Sequence, residues 1–310
     1  MGTVFDSVQL PGSQSNIIDN GGFEIWQRGT SFTNFVGYHA DRWQISTSCT
    51  VYTVAQESGA ANIDSGIYSA RCTITTAAGG VFRIGQSPEN PAQYVGKTMT
   101  YSARIKSNVA GVKLFVSYIG GQTASTIAHT GDNTWQTISM TIVMPNAGLT
   151  FSIGFDSVNT TVGSSVSPSA GTFYVDGVSM VAGSNVPVYI PIPLQQDLAR
   201  CQRFFVRMGG FSAIDVYGTA HCQSTTACYA VMRLPVQMRA TPTLTINNQT
   251  GFGVYTAGGS NNPCTTVGAS TLTPQSIMVN ANVASGLVAG NATILYATVN
   301  TAYIDISADL

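Results

Sequence analysis

Between Asn20 and Trp43 the chain gathers two of its three tryptophans, two of its thirteen lysine and arginine residues and two of its fourteen acids. The run Asn20-Gly21-Gly22-Phe23-Glu24-Ile25-Trp26-Gln27-Arg28-Gly29-Thr30-Ser31-Phe32 is answered by Tyr38-His39-Ala40-Asp41-Arg42-Trp43. The chemistry open to such residues is recognition. An indole or phenol face stacks on the apolar face of a sugar ring, and a guanidinium pairs with a carboxylate or lies over an aromatic ring. Trp26, Tyr38, Trp43, Tyr118 and Trp135 are therefore the candidate carbohydrate-binding residues. Burial in a core is the competing reading. It is favoured for Trp26, which follows alternating apolar positions, and for Trp43, which precedes Gln44-Ile45. Arg28 and Arg42 read as structural, tying loops down through hydrogen bonds.

Catalysis leaves traces that this sequence lacks. There is no GxSxG, HExxH, P-loop or GxGxxG pattern. His39, His129 and His221 stand far apart without ligand spacing. Glycan hydrolysis needs two carboxylates at a fixed separation; Asp41 with Asp156 or Glu24 is the pair to test, but none sits in a recognisable motif. The expectation is a protein that binds without catalysing.

Those residues need a frame, and the alternation along the chain supplies one. Met99, Tyr101, Ala103 and Ile105 alternate, as do Ile138, Met140, Ile142 and Met144, and again Leu149, Phe151, Ile153 and Phe155. Period two marks strands with one buried face. Gly79-Gly80, Gly120-Gly121, Gly131-Asp132-Asn133 and Pro145-Asn146-Ala147-Gly148 separate them as turns. About eight short strands between residues 16 and 181 predict a two-sheet sandwich of jelly-roll type. Pro187, Pro191 and Pro193 make residues 182–193 a linker. A helix is expected from Leu194 to Phe205, with Leu194, Leu198, Cys201 and Phe205 in one apolar stripe. Residues 194–310 then return to strands and predict a second β-sandwich domain. Residues 1–15 have too few apolar side chains for a core and read as an anchoring arm.

Charged residues make up 9% of the chain, against roughly 25% in an average soluble protein. The net charge of −1 gives no basic field for nucleic acid. Residues 240–304 carry no charge at all, yet their Gly, Asn, Thr and Ser exclude a membrane span. A surface so poor in charge predicts self-association. The six cysteines form no CxxC pair and are expected to be free, with Cys222 and Cys228 placed to bridge one hairpin if any pair does. No basic and apolar leader opens the sequence, so export through a signal peptide is not expected.

The runs NGGFEIWQRGTSF and YHADRW resemble the opening of a domain of bacteriophage virion surface proteins, tail fibres and capsid decorations among them. That domain is similar to jelly-roll carbohydrate-binding modules. The similarity continues at Gly66-Ile67-Tyr68-Ser69-Ala70-Arg71, Tyr101-Ser102-Ala103-Arg104-Ile105-Lys106, Trp135 before Thr137-Ile138-Ser139, and Phe173-Tyr174-Val175-Asp176-Gly177-Val178-Ser179-Met180. In such modules the first and last strands are neighbours whose Glu and Asp hold a structural calcium. By position the resemblance implies Glu24 and Asp176, with Gly177 departing from the second Asp of many relatives. Cys201-Gln202-Arg203-Phe204-Phe205, Met238-Arg239-Ala240-Thr241-Pro242-Thr243 and Ile304-Asp305-Ile306-Ser307-Ala308-Asp309-Leu310 resemble the C-terminal β-domain of phage tail-fibre-type proteins. Together these imply a homotrimer on the virion surface, assembled in the host cytoplasm, with other virion proteins and host polysaccharide as partners.

Overall fold

The computed structural model describes residues 16–146, 148–158, 166–256 and 258–310, so the expected arm at 1–15 lies outside the described residues. The chain is almost entirely β and divides into two compact units, with the boundary between Ile192 and Pro193. Among the described residues no helix is long and apolar enough to cross a membrane.

The first unit is a sandwich of two antiparallel sheets. One has six strands in the order β1 (Ser31–Thr33), β3 (Val51–Glu57), β4 (Ser69–Thr76), β11 (Gly171–Ala182), β6 (Thr98–Ser107), β9 (Trp135–Val143). The other has five, in the order β2 (Gln44–Thr47), β5 (Val81–Gln86), β10 (Thr150–Asp156), β7 (Lys113–Tyr118), β8 (Gly121–Ala124). Tyr101, Ala103 and Ile105 of β6 and Phe151, Ile153 and Phe155 of β10 meet in one buried core, so the alternating runs point their apolar phase at each other. Edge-on aromatic contacts tie the two sheets together: Tyr52 to Phe82 at 5.4 Å, Phe82 to Phe173 at 6.0 Å, Phe155 to Phe173 at 5.9 Å.

The second unit opens with α1 (Leu194–Gln202), the one α-helix among the described residues. It stops short of the expected Phe205. That residue instead starts β12 (Phe205–Gly209), where it pairs with Ser307 of β20 (Tyr303–Ser307). β15 (Thr243–Asn247) completes a three-stranded sheet on the other side of β20. The remaining six strands are β13 (Val216–Cys222), β14 (Ala227–Arg233), β16 (Phe252–Thr256), β17 (Asn261–Leu272), β18 (Ser276–Val283) and β19 (Ala292–Ala297). Where a second sandwich is expected they close into a barrel, because β19 pairs with both β13 and β16. Register shifts in β13 and β17 supply the bending that closure needs. The three C-terminal runs meet at one corner: the Arg239 amide donates to the Arg203 carbonyl, its guanidinium to the Ala308 carbonyl, and the Ala308 amide to the Phe204 carbonyl. All six cysteines are free and buried, with Cys222 directly opposite Cys228 across the β13–β14 ladder.

Candidate functional site

The window that dominates the sequence folds into a buried knot. Asn20 takes φ +51°, and its side chain donates to the carbonyls of Ile25 and Asp41 while accepting from the Ile25 amide. The Trp43 indole donates to the Asn20 carbonyl at 2.9 Å and stacks on Phe23 at 4.8 Å, and Trp43 is wholly buried. The Trp26 indole donates to the Phe23 carbonyl and is 9% exposed. Neither ring presents a face to a sugar, because both anchor the turn to the core. Asp41 accepts from Arg28 at 3.1 Å and from the Gln27 side chain at 2.9 Å. Arg42, itself buried, donates to Asp19 at 3.1 Å and to the Ser87 carbonyl.

The other candidate aromatics do not converge. Tyr38 lies half-buried under the Arg28 guanidinium, 5.2 Å from its ring. Tyr118 ends β7 and packs against the core rim with its ring over Gly121. Trp135 starts β9 on the outward face of the six-stranded sheet, in register with Lys106.

Glu24 and Asp176 do reach one loop, but as acceptors for it. Asp176 is fully buried, and its Oδ2 accepts from the amides of Asp64 and Ser65 at 2.9 and 2.8 Å. Its Oδ1 accepts from the Ser65 hydroxyl at 2.8 Å and from the Gly177 amide. These four donors occupy the roughly four lone-pair positions of a carboxylate. Glu24 Oε1 accepts from the Ile67 amide at 3.3 Å. Asp64, beside them, forms a two-pronged pair with Arg104 at 2.7 and 2.8 Å. The donor set therefore does not fit a calcium ion at Asp176, and among the described residues no group of three His, Cys, Asp or Glu gathers to hold a metal. Gly177 fits this arrangement: it sits at φ +56°, and a Cβ there would stand 3.0 Å from the Ser65 hydroxyl. Burial raises the Asp176 pKa, against the pull of the Ser65, Asp64 and Gly177 donors. Asp176→Ala is expected to cost the first unit about 2 kcal/mol, the scale of hydrogen bonds to a charged group. Chelator should leave the melting temperature of the unmutated protein unchanged. A calcium-dependent shift in thermal denaturation would overturn this assignment.

A polar cluster does form on the outward face of the five-stranded sheet. The register sets Arg83 of β5 beside Gly154 of β10, which is beside Lys113 of β7, and Ser152 between Gly85 and Phe115. Ser117 faces Gln122 across β7 and β8. Arg83 Nη1 donates to Gln122 Oε1 and lies 3.3 Å from Asp156 Oδ2. Gln122 Nε2 donates to the same Asp156 oxygen at 2.9 Å, and the Arg83 guanidinium lies over the Phe115 ring at 5.3 Å. Burial lowers the pKa of Arg83 against the pull of Asp156, and lowers that of Lys113. Arg83 Nε and Ser152 Oγ are buried without a hydrogen-bond partner. Gly85 and Gly154 leave the floor between them bare of side chains, and a Cβ at Gly154 would strike the Phe82 carbonyl. Phe115, Lys113, Gln122, Ser152 and Asp156 are each buried, so of this cluster chiefly the Arg83 side chain, 16% exposed, reaches the surface. Its one legible trace in the sequence is the polar phase of β10, where Ser152, Gly154 and Asp156 alternate with Phe151, Ile153 and Phe155. Arg83 and Gln122 lie in no motif.

No family model matches the chain, and no curated protein matches it. Solved structures do. A carbohydrate-binding module, TmCBM61, solved with β-1,4-galactotriose is 17% identical over 55% of this chain and 99% of its own, with a TM-score of 0.34. The CBM22-1 xylan-binding domain of Xyn10C from Paenibacillus barcinonensis is 11% identical over 56% of this chain and 97% of its own, with a TM-score of 0.37. The enzymatically active domain of tailspike protein 4 of bacteriophage CBA120 is 14% identical over 54% of this chain and 21% of its own, with a TM-score of 0.34.

Proposed function

We propose that this chain is a non-enzymatic glycan-binding protein of a bacteriophage virion surface, a fibre, spike or capsid decoration. In this reading its first unit touches host polysaccharide through the outward face of the five-stranded sheet. The observation that carries it is the Arg83 guanidinium on that face, 16% exposed and held by Gln122 and Asp156 over the buried Phe115 ring beside Gly85 and Gly154. Sugars offer hydroxyls that donate and accept, and such mixed groups match them. The second unit, with exposed Val216, Val231, Tyr255, Ile294 and a charge-free run, supports assembly as a homotrimer through its strands.

A glycan array probed with the full chain, paired with a reducing-sugar release assay, tests the reading. Binding without release, weakened about tenfold by Gln122→Ala, is the expected result. Silence on the array would leave a virion cement protein, and release of sugar would make it a depolymerase. The same sample on a light-scattering detector should read three chains, and a stable monomer would defeat the trimer.

A further inference from the structure

We propose a second glycan site, on the barrel of the second unit: a groove over β17 and β18 that takes a neutral, hydroxyl-rich sugar chain, with Asn280 as its central contact and Tyr229 as its platform. The groove has a volume of about 440 Å³ and is lined chiefly by Thr266, Gly268 and Ser270 of β17, Asn280 and Asn282 of β18, and Gln249 of the short turn Gln249–Gly251. That size lies within the roughly 300–1,000 Å³ of small-molecule sites. Each of these six residues is exposed or half-buried. Pairing builds the floor. Thr266 lies opposite Asn282 and Gly268 opposite Asn280, while Val279 and Ala281 between them enter the barrel core. A register shift stands at each end of this stretch of β17, after Cys264 and after Ala269, and Ser270 is the extra residue of the second. Bulges re-aim side chains and gather beside functional sites. The turn at Gln249 is fixed in place, because Asn248, at φ +54°, donates to the Thr301 hydroxyl at 2.9 Å. One strand over, Tyr229 of β14 is in register with Asn280. Its neighbours Cys228 and Ala230 are buried, so its half-buried ring points outward beside that carboxamide.

The chemistry of the lining selects the ligand. None of these side chains is charged, and residues 240–304 carry no charge, so an anion entering the groove would lose water without gaining a cation. An apolar ligand would strip water from carboxamides and hydroxyls and give no hydrogen bond in return. A neutral sugar does neither. Its hydroxyls donate and accept, as do the side-chain amides of Asn280 and Gln249, and among the described residues neither amide has a protein partner. Asn282 donates to Thr266 Oγ1 at 2.9 Å, which leaves its own Oδ1 to accept from the ligand. The Tyr229 ring offers a flat surface for the apolar face of a sugar next to these groups. The site thus differs from the Arg83 face of the first unit both in position and in the ligand it favours.

Affinity electrophoresis of the full chain through galactomannan, xyloglucan, dextran and glycogen, with polygalacturonate as the acidic comparison, tests this. The expected result is retardation by at least one neutral polymer that persists as sodium chloride rises from about 50 to 500 mM, because no ion pair is involved. It should also survive Gln122→Ala, which separates this groove from the first unit. Asn280→Ala and Tyr229→Ala should each weaken it about tenfold, while Tyr229→Phe, which keeps the ring, should change it by less than about twofold. Gly268→Val provides a test by obstruction. A Cβ at Gly268 meets no atom within 4 Å, so the added side chain fits the strand yet fills the groove. That variant should keep its melting temperature and lose retardation. Retardation unchanged in Gly268→Val, Asn280→Ala and Tyr229→Ala would overturn the groove, as would its complete loss in Gln122→Ala. Retardation by none of the neutral polymers, or by polygalacturonate alone, would overturn the neutral assignment, and the glycan array with Gln122→Ala would still decide the first unit separately. If Asn280→Ala or Tyr229→Ala fails to fold, Gly268→Val decides the question.

Discussion

Trp43→Ala is expected to destabilise the first unit by about 3–5 kcal/mol, the range for removing a buried tryptophan. Trp43 is fully buried, stacks on Phe23 at 4.8 Å, and donates its indole N–H to the carbonyl of Asn20 at 2.9 Å. Its loss opens a cavity beneath the turn that Asn20 organises and leaves that carbonyl with the Phe23 amide as its remaining donor. Trp43→Phe should cost less, because most of the ring volume stays and chiefly the hydrogen bond goes. Urea unfolding followed by tryptophan fluorescence reads the effect cleanly. All three tryptophans lie in the first unit, and Trp26 and Trp135 remain as probes in the variant. A loss below 1 kcal/mol combined with lost glycan binding would make Trp43 a sugar platform after all.

The stability of the same unit is expected to fall by up to about 3 kcal/mol as the pH drops from 6.5 to 4, through His39 alone. His39 is fully buried, edge-on to Phe32 at 4.8 Å and to Phe35 at 5.5 Å. Both ring nitrogens are buried, and burial lowers its pKa from 6.5 to about 4 against the pull of the Gly37 and Phe35 backbone. Below pH 6.5 the unfolded chain therefore binds a proton that the folded unit refuses, so acid favours unfolding. The contribution is complete above pH 6.5 and disappears progressively toward pH 4. Carboxylates also titrate in acid, so the quantity to measure is the difference between the unmutated protein and His39→Phe. The unmutated protein should lose stability relative to His39→Phe as pH falls from 7 to 5, and a difference that stays constant would show that His39 is not held neutral.

Local pattern alone determined much of this protein. Period-two runs such as Leu149, Phe151, Ile153 and Phe155 specify strands with one buried face, because neighbouring residues on a strand point to opposite sides. Asn20, Gly21 and Gly22 announced a turn, and the core reading of Trp26 and Trp43 matches where the rings lie. The end of the helix was not legible, since Phe205 fits a helical stripe by spacing but pairs with Ser307, far along the chain. Barrel or sandwich was equally hidden. Alternation records that one face of a strand is buried and not which strands pair, and only the double pairing of β19 closes the ring. The site was least visible of all. Arg83, Gln122, Ser152 and Asp156 share no motif and come from three strands, β5, β8 and β10. The register of β5, β10, β7 and β8 brings them to one face, and cross-strand register is a property of tertiary pairing that no single segment encodes.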